Sequence, residues 1–142
     1  MRSSAIKIAC VAGAVVSTVA LSANPAGASE PRSLYAPSAL VLTVGQGQSA
    51  ATSTVERAVT LTCKPTAGGT HPAAAAACAD LERAQGQPAR TLNEEPGRAC
   101  PQIYAPVTVT ADGVWEGRRL SFERTFANRC MAQSRVTSLF GF

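Results

Sequence analysis

Arg57-Ala-Val-Thr-Leu-Thr-Cys63 alternates polar and apolar residues, with Val59, Leu61 and Cys63 on one face and threonines on the other. A period of two over that length predicts a half-buried strand. Upstream, Ala39-Leu-Val-Leu-Thr-Val44 reads as a second strand, ended by Gly45-Gln46-Gly47, with a small polar loop over Gln48 to Thr54. Downstream, Lys64 to Gly69 reads as a turn built on Pro65, Gly68 and Gly69. A helix follows: Pro72 suits a first helical turn, Ala73 to Ala77 favours helix, and Cys78, Leu81 and Ala84 form an inward stripe as far as Gly86.

Gly86 to Ala99, rich in proline, glycine and charge, reads as an exposed loop. Val107-Thr-Val-Thr110 is a strand, and Asp112-Gly113 signals a tight turn. The return strand starts at Val114-Trp115, is interrupted by Glu116-Gly117 and resumes over Arg118 to Phe126. Asn128 to Ser134 suits a short helix, and Val136 to Phe142 reads as a last strand. The sum is an α+β fold of about five antiparallel strands with one strong helix and one short one.

The chain's 142 residues begin with a leader-like segment. Arg2 and Lys7 precede a mostly apolar run from Ile8 to Leu21, and Ala26-Gly27-Ala28 supplies the small residues of a cleavage site. Residues 1–28 are therefore expected to be a secretory signal peptide, and 29–142 one extracellular domain with a loose arm over Ser29 to Ser38. The apolar run is shorter than the roughly 20 residues that span a bilayer, so no membrane partner is expected. Thirteen basic and 9 acidic residues give a net charge of +4, and loss of Arg2 and Lys7 halves that surplus. Arg118-Arg119 is the only basic cluster, which excludes a nucleic-acid partner.

Of five cysteines, Cys10 lies in the leader, and Cys63, Cys78, Cys100 and Cys130 remain. Four cysteines in a small exported domain predict two disulfides, with three connectivities open and sequential pairing the simplest. Zinc fits poorly: there is no Cys-x-x-Cys spacing and only one histidine. His71, between Thr70 and Pro72 at a helix start, suits a structural role better than a catalytic one. Glu94-Glu95 is explained by a solvated loop edge. No enzyme activity, cofactor or metal is expected.

Cys100-Pro101-Gln102-Ile103-Tyr104-Ala105-Pro106 is the unusual stretch. A cysteine and a proline immediately precede Gln102, and a second proline follows; prolines fix φ and keep their neighbours extended. Such a segment is exposed yet stiff, as suits a chain meant to enter a cleft without being reshaped. On composition, an ordinary loop into the strand at Val107 fits equally well.

These residues resemble the Streptomyces subtilisin inhibitor family over nearly the whole chain after the leader. The resemblance runs from Leu34-Tyr-Ala-Pro-Ser-Ala-Leu-Val-Leu-Thr-Val-Gly45 through Glu56-Arg-Ala-Val-Thr-Leu-Thr-Cys63, Gly69-Thr-His-Pro72 and Ala77-Cys-Ala-Asp-Leu81. It continues through Cys100-Pro101, Tyr104, Pro106, Asp112-Gly-Val-Trp115, Glu123-Arg124, Phe126, Asn128 and Cys130 to Phe140-Gly-Phe142. Gly86 to Ala99 matches poorly. The resemblance implies a five-stranded antiparallel sheet with two helices on one face, the disulfides Cys63–Cys78 and Cys100–Cys130, and a homodimer formed through the sheets.

It further implies a substrate-like inhibitor of subtilisin-type serine proteases with Gln102–Ile103 as the reactive bond. Gly97, Arg98, Ala99, Cys100 and Pro101 would pair along the enzyme cleft as an added strand, and Tyr104 would touch the leaving side. Asn128 could hydrogen-bond the loop from below or remain a plain surface amide, and Trp115 suits core or dimer contact. Gln102 departs from both the basic residue of a trypsin-directed inhibitor and the large apolar residue that subtilisin prefers. Subtilisin-like targets, weaker trypsin inhibition and lower affinity than Met or Leu would give are expected. The alternatives are a secreted binding module that has lost inhibition, and a transglutaminase substrate with Gln102 as acyl donor.

Overall fold

Alternation decides the inner face of the sheet. β1 (Ser38–Gln46) buries Ser38, Leu40 and Leu42 while Ala39 and Val41 face outward, and β2 (Thr54–Lys64) buries Leu61 and Cys63. The computed structural model describes residues 36–92 and 99–142. The expected leader, the arm as far as Tyr35, Glu94–Glu95, and the predicted site residues Gly97 and Arg98 lie outside the described residues. β3 (Gly68–Gly69), β4 (Val107–Trp115) and β5 (Arg118–Phe126) complete an antiparallel sheet in the order β3-β2-β1-β4-β5.

The helices α1 (Ala74–Arg83) and α2 (Arg129–Arg135) cover one face, with single-turn 3-10 helices at Pro88–Thr91 and Ser138–Phe140. Ala77, Cys78, Leu81 and Ala84 of the α1 region meet the inner face, where Val107, Val109, Leu139 and Phe140 complete the core. Each fully buried aliphatic side chain contributes about 1.5–3 kcal/mol. The fold class is the expected one, an antiparallel sheet of five strands with two helices and two disulfides, and four of the strands lie where the sequence put them. The pairing is sequential: Cys63–Cys78 joins β2 to α1, and Cys100–Cys130 joins the segment before β4 to α2.

Four local expectations need correction. The fifth strand is not Val136–Phe142 but Gly68–Gly69, which pairs with Leu61 and Thr62. Ser138–Phe140 instead forms a 3-10 turn that brings the adjacent Leu139 and Phe140 into the one core under the sheet, where strand residues would alternate between faces. Second, the β4–β5 hairpin turns at Glu116-Gly117, not at Asp112-Gly113. Glu116 and Gly117 have φ of 49° and 76°, and positive φ at both central residues gives the two-residue turn whose twist matches paired strands. Gly113 instead lies inside β4 at φ +149°, where a Cβ would sit 2.3 Å from the Ala39 carbonyl oxygen of β1.

Third, α1 starts at Ala74, leaving Pro72 in the preceding turn. Fourth, the exposed loop expected from Gly86 opens with a 3-10 turn that buries Pro88 and Thr91, and the Thr91 hydroxyl donates to the Pro88 carbonyl at 2.8 Å. α2 lies where the short second helix was expected.

Candidate functional site

The end of the sheet where β1 stops and β4 starts carries residues 99–106. Ala99 and Pro101 through Ala105 are exposed, and Ile103 and Tyr104 are large apolar side chains with 63% and 67% of their surface in water. None of these residues belongs to a helix or strand. An exposed run without ladder hydrogen bonds would ordinarily sample many conformations. Restraints from three directions oppose that here.

Asn128 is the centre of the restraint. It is only 7% exposed and caps α2: its Oδ1 accepts from the Met131 N–H at 2.9 Å. That cap fixes the side-chain amide, because only one orientation puts the oxygen on the helix N-terminus. The Nδ2 group then points out of the helix and donates to the Pro101 carbonyl at 3.0 Å and the Ile103 carbonyl at 2.9 Å. These two carbonyls lie on either side of Gln102, so one buried amide clamps the backbone before and after it. Two residues further along α2, Cys130 holds Cys100 through the second disulfide.

The leaving half of the segment is anchored to the sheet. Ala105 donates its N–H to Ala127 at 2.8 Å, and the Pro106 carbonyl accepts from Gly47 at 2.9 Å. The Thr108 and Thr125 hydroxyls lie 2.8 Å apart and reach the Gly47 and Gln48 carbonyls at 2.9 and 3.0 Å respectively, two protons serving three contacts. The Ala50 N–H donates to the Glu123 carboxylate at 3.0 Å. The loop after β1 is thus a buttress for the base of the exposed segment. Beside Asn128, Arg129 forms an ion pair with Glu56 at the start of β2, tying the head of α2 across the sheet.

Sequence reasoning singled out Asn128 but missed the buttress of Gly47, Thr108, Glu123 and Thr125. Only strand register could have found it, since Thr108 and Thr125 face each other across β4 and β5. The other candidates are engaged elsewhere. His71 is buried; its Nδ1 accepts from the Ala73 N–H at 3.0 Å, so the proton sits on Nε2, which donates to the Leu139 carbonyl at 3.3 Å. With Phe142 edge-on at 5.4 Å, His71 latches the C-terminal segment to the start of α1. Trp115 is buried. Among the described residues, no group of three or more His, Cys, Asp or Glu gathers to hold a metal ion, and no helix is long and apolar enough to cross a membrane.

The family model described as subtilisin inhibitor-like matches residues 36–128, from the first described residue to the clamping asparagine. The chain belongs to the subtilisin inhibitor-like family. It is 63% identical over 120 residues to a subtilase-type protease inhibitor of Streptomyces coelicolor, covering 84% of this chain and 81% of the relative. It is 58% identical over 125 residues to a trypsin inhibitor of Streptomyces longisporus, covering 88% and 85%. Its fold is similar to that of Streptomyces caespitosus sermetstatin, solved in complex with Bacillus licheniformis subtilisin, with a TM-score of 0.70 and 46% identity. That likeness covers 75% of this chain and 99% of sermetstatin. The subtilisin inhibitor-like family is one of inhibitors, not enzymes, which agrees with the use of the single histidine as a structural latch.

Proposed function

We propose that the chain is a secreted, substrate-like inhibitor of subtilisin-type serine proteases, with Gln102–Ile103 as its reactive bond. The observation that carries this reading is the pair of bonds from Asn128 Nδ2 to the Pro101 and Ile103 carbonyls. A free peptide loses ordering entropy when it docks in a protease cleft; this segment has lost it on folding. Ala99, Cys100, Pro101 and Tyr104 flank the bond and would meet the enzyme, with Gly97 and Arg98 continuing the pairing along the cleft. Interfaces of this kind bury roughly 1,600 Å² in total and are among the tightest known. Trypsin-like enzymes would be inhibited more weakly, because Gln102 brings no charge to a carboxylate-floored pocket.

Residues 1–28 would direct export and be removed, leaving 29–142 as the inhibitor outside the cell. The uncovered face of the sheet supports a homodimer: Val41 stands 48% exposed at its middle, flanked by the bonded hydroxyls of Thr43 and Thr110. Titration of active subtilisin with the purified protein tests the reading. It predicts stoichiometric loss of activity and, by mass analysis, slow cleavage only at Gln102–Ile103. Rapid digestion of the segment at several bonds would defeat it.

A further inference from the structure

Resting on that reading of Gln102–Ile103, we infer that Gln102 selects serine proteases that cleave after glutamine or glutamate, in preference to those with a wholly apolar primary pocket. The backbone on both sides of Gln102 is fixed by Asn128, so the side chain cannot evade the enzyme's primary pocket by a shift of the loop. Gln102 is exposed, and among the described residues no hydrogen bond takes up its carboxamide. The amide therefore enters the pocket with a carbonyl acceptor and an NH2 donor both unmet.

An apolar pocket leaves both groups buried without partners, which weakens binding by about five- to a hundredfold relative to an aliphatic side chain of similar length. A pocket floored by a carboxylate, built for lysine or arginine, finds no cation. A pocket lined by hydroxyl or imidazole groups is different, because such groups donate as well as accept. One that binds the glutamate side chain already directs donors to the depth of its carboxylate oxygens, and Gln102 brings the same number of methylenes and an oxygen at that depth. Sites built to hydrogen-bond a side chain discriminate against analogues lacking it far more strongly than apolar pockets discriminate by size.

The test is a set of inhibition constants for the full inhibitor and for Gln102→Leu and Gln102→Glu, against subtilisin and against a glutamate-preferring serine endopeptidase. Gln102→Leu should tighten inhibition of subtilisin by about tenfold and weaken inhibition of the glutamate-preferring enzyme by at least about tenfold. Gln102→Glu should do the reverse on both. If Gln102→Leu inhibits the glutamate-preferring enzyme as well as the unaltered protein does, or better, the inference is overturned while the inhibitor reading stands. If Gln102→Leu fails to inhibit subtilisin too, the reading of the bond itself falls, and the inference with it.

Discussion

Asn128 performs two separable tasks, and one substitution divides them. Asn128→Asp keeps an oxygen for the Met131 N–H, so the α2 cap survives, but it replaces the Nδ2 donor with a second carboxylate oxygen facing the Pro101 and Ile103 carbonyls. Two hydrogen bonds are lost, each contributing about 0.5–1.5 kcal/mol. The braced loop should therefore lose about 1–3 kcal/mol of preference over its alternatives, a factor of about 5 to 150. Asn128→Ala removes the same two bonds and also the cap, which adds about 1 kcal/mol to the loss of global stability. The assay is incubation with a catalytic amount of subtilisin, following the cut at Gln102–Ile103 by mass, alongside thermal unfolding. Asn128→Asp should be cut about tenfold faster or more while unfolding closer to the unaltered protein than Asn128→Ala does. If Asn128→Asp resists subtilisin as well as the unaltered protein, the clamp contributes nothing, and the brace must be sought in the disulfide and the sheet anchors alone.

The two disulfides should separate in the same manner. Removing Cys100–Cys130, whose partners are 30 residues apart, should cost about 3–4 kcal/mol and convert the inhibitor into an ordinary substrate on incubation with subtilisin. Removing Cys63–Cys78, with a separation of 15, should cost about 3 kcal/mol by denaturant titration yet leave the inhibition constant of the folded fraction unchanged. Gln102→Lys should tighten trypsin inhibition by at least about a hundredfold, since a buried charge pair then forms in the pocket; an unchanged constant would mean that the bond is elsewhere. Gly113→Ala would place a Cβ 2.3 Å from the Ala39 oxygen at φ +149°, and should lower the unfolding midpoint by about 10 °C. Lys64 donates to Glu116 at 2.7 Å, and that bond holds its ammonium protonated above the ordinary 10.5. The pair's contribution is therefore present below pH 10.5 and is lost as pH rises through the higher folded value; in Lys64→Met the alkaline limb of the stability curve should lack this component.

How far the sequence could be read depended on the range of the interaction. β1, β2 and α1 were legible because their patterns are local: Leu40 and Leu42 alternate with outward residues, and Cys78 and Leu81 lie on one helix face. Asp112-Gly113 misled because the favoured turn dipeptide serves another need, the close approach of β1 to Gly113. The turn fell on Glu116-Gly117, where only one of the two residues advertises positive φ. The end of the chain was illegible for a different reason. Leu139 and Phe140 read as strand by composition, but the latch from His71, separated by 68 residues, folds them into the core. At the site, the exposed stretch and its asparagine could be named from sequence. The division of Asn128's amide between a helix cap and two loop carbonyls could not, because it depends on how α2 meets the segment before β4.

That division bears on how the proposed inhibitor survives cleavage. Were the bond after Gln102 cut, the new carboxyl end would remain tied through Pro101 to Asn128 and through Cys100 to Cys130. The new amino end would remain tied through the Ile103 carbonyl to the same Asn128, and through Ala105 to Ala127. Both ends are thus indexed to one side chain, itself fixed by the helix it caps. Oriented partners held this way react as if present at effective concentrations of about 10⁵ M or more, far above water's own. The amine of Ile103 would then outcompete water for an acyl-enzyme at Gln102. A brace acting on only one side of the bond would not give this advantage, since the free end could swing out of reach. For that reason the proposed mechanism would turn on the two carbonyl bonds from one amide, rather than on the exposure of the loop or its prolines.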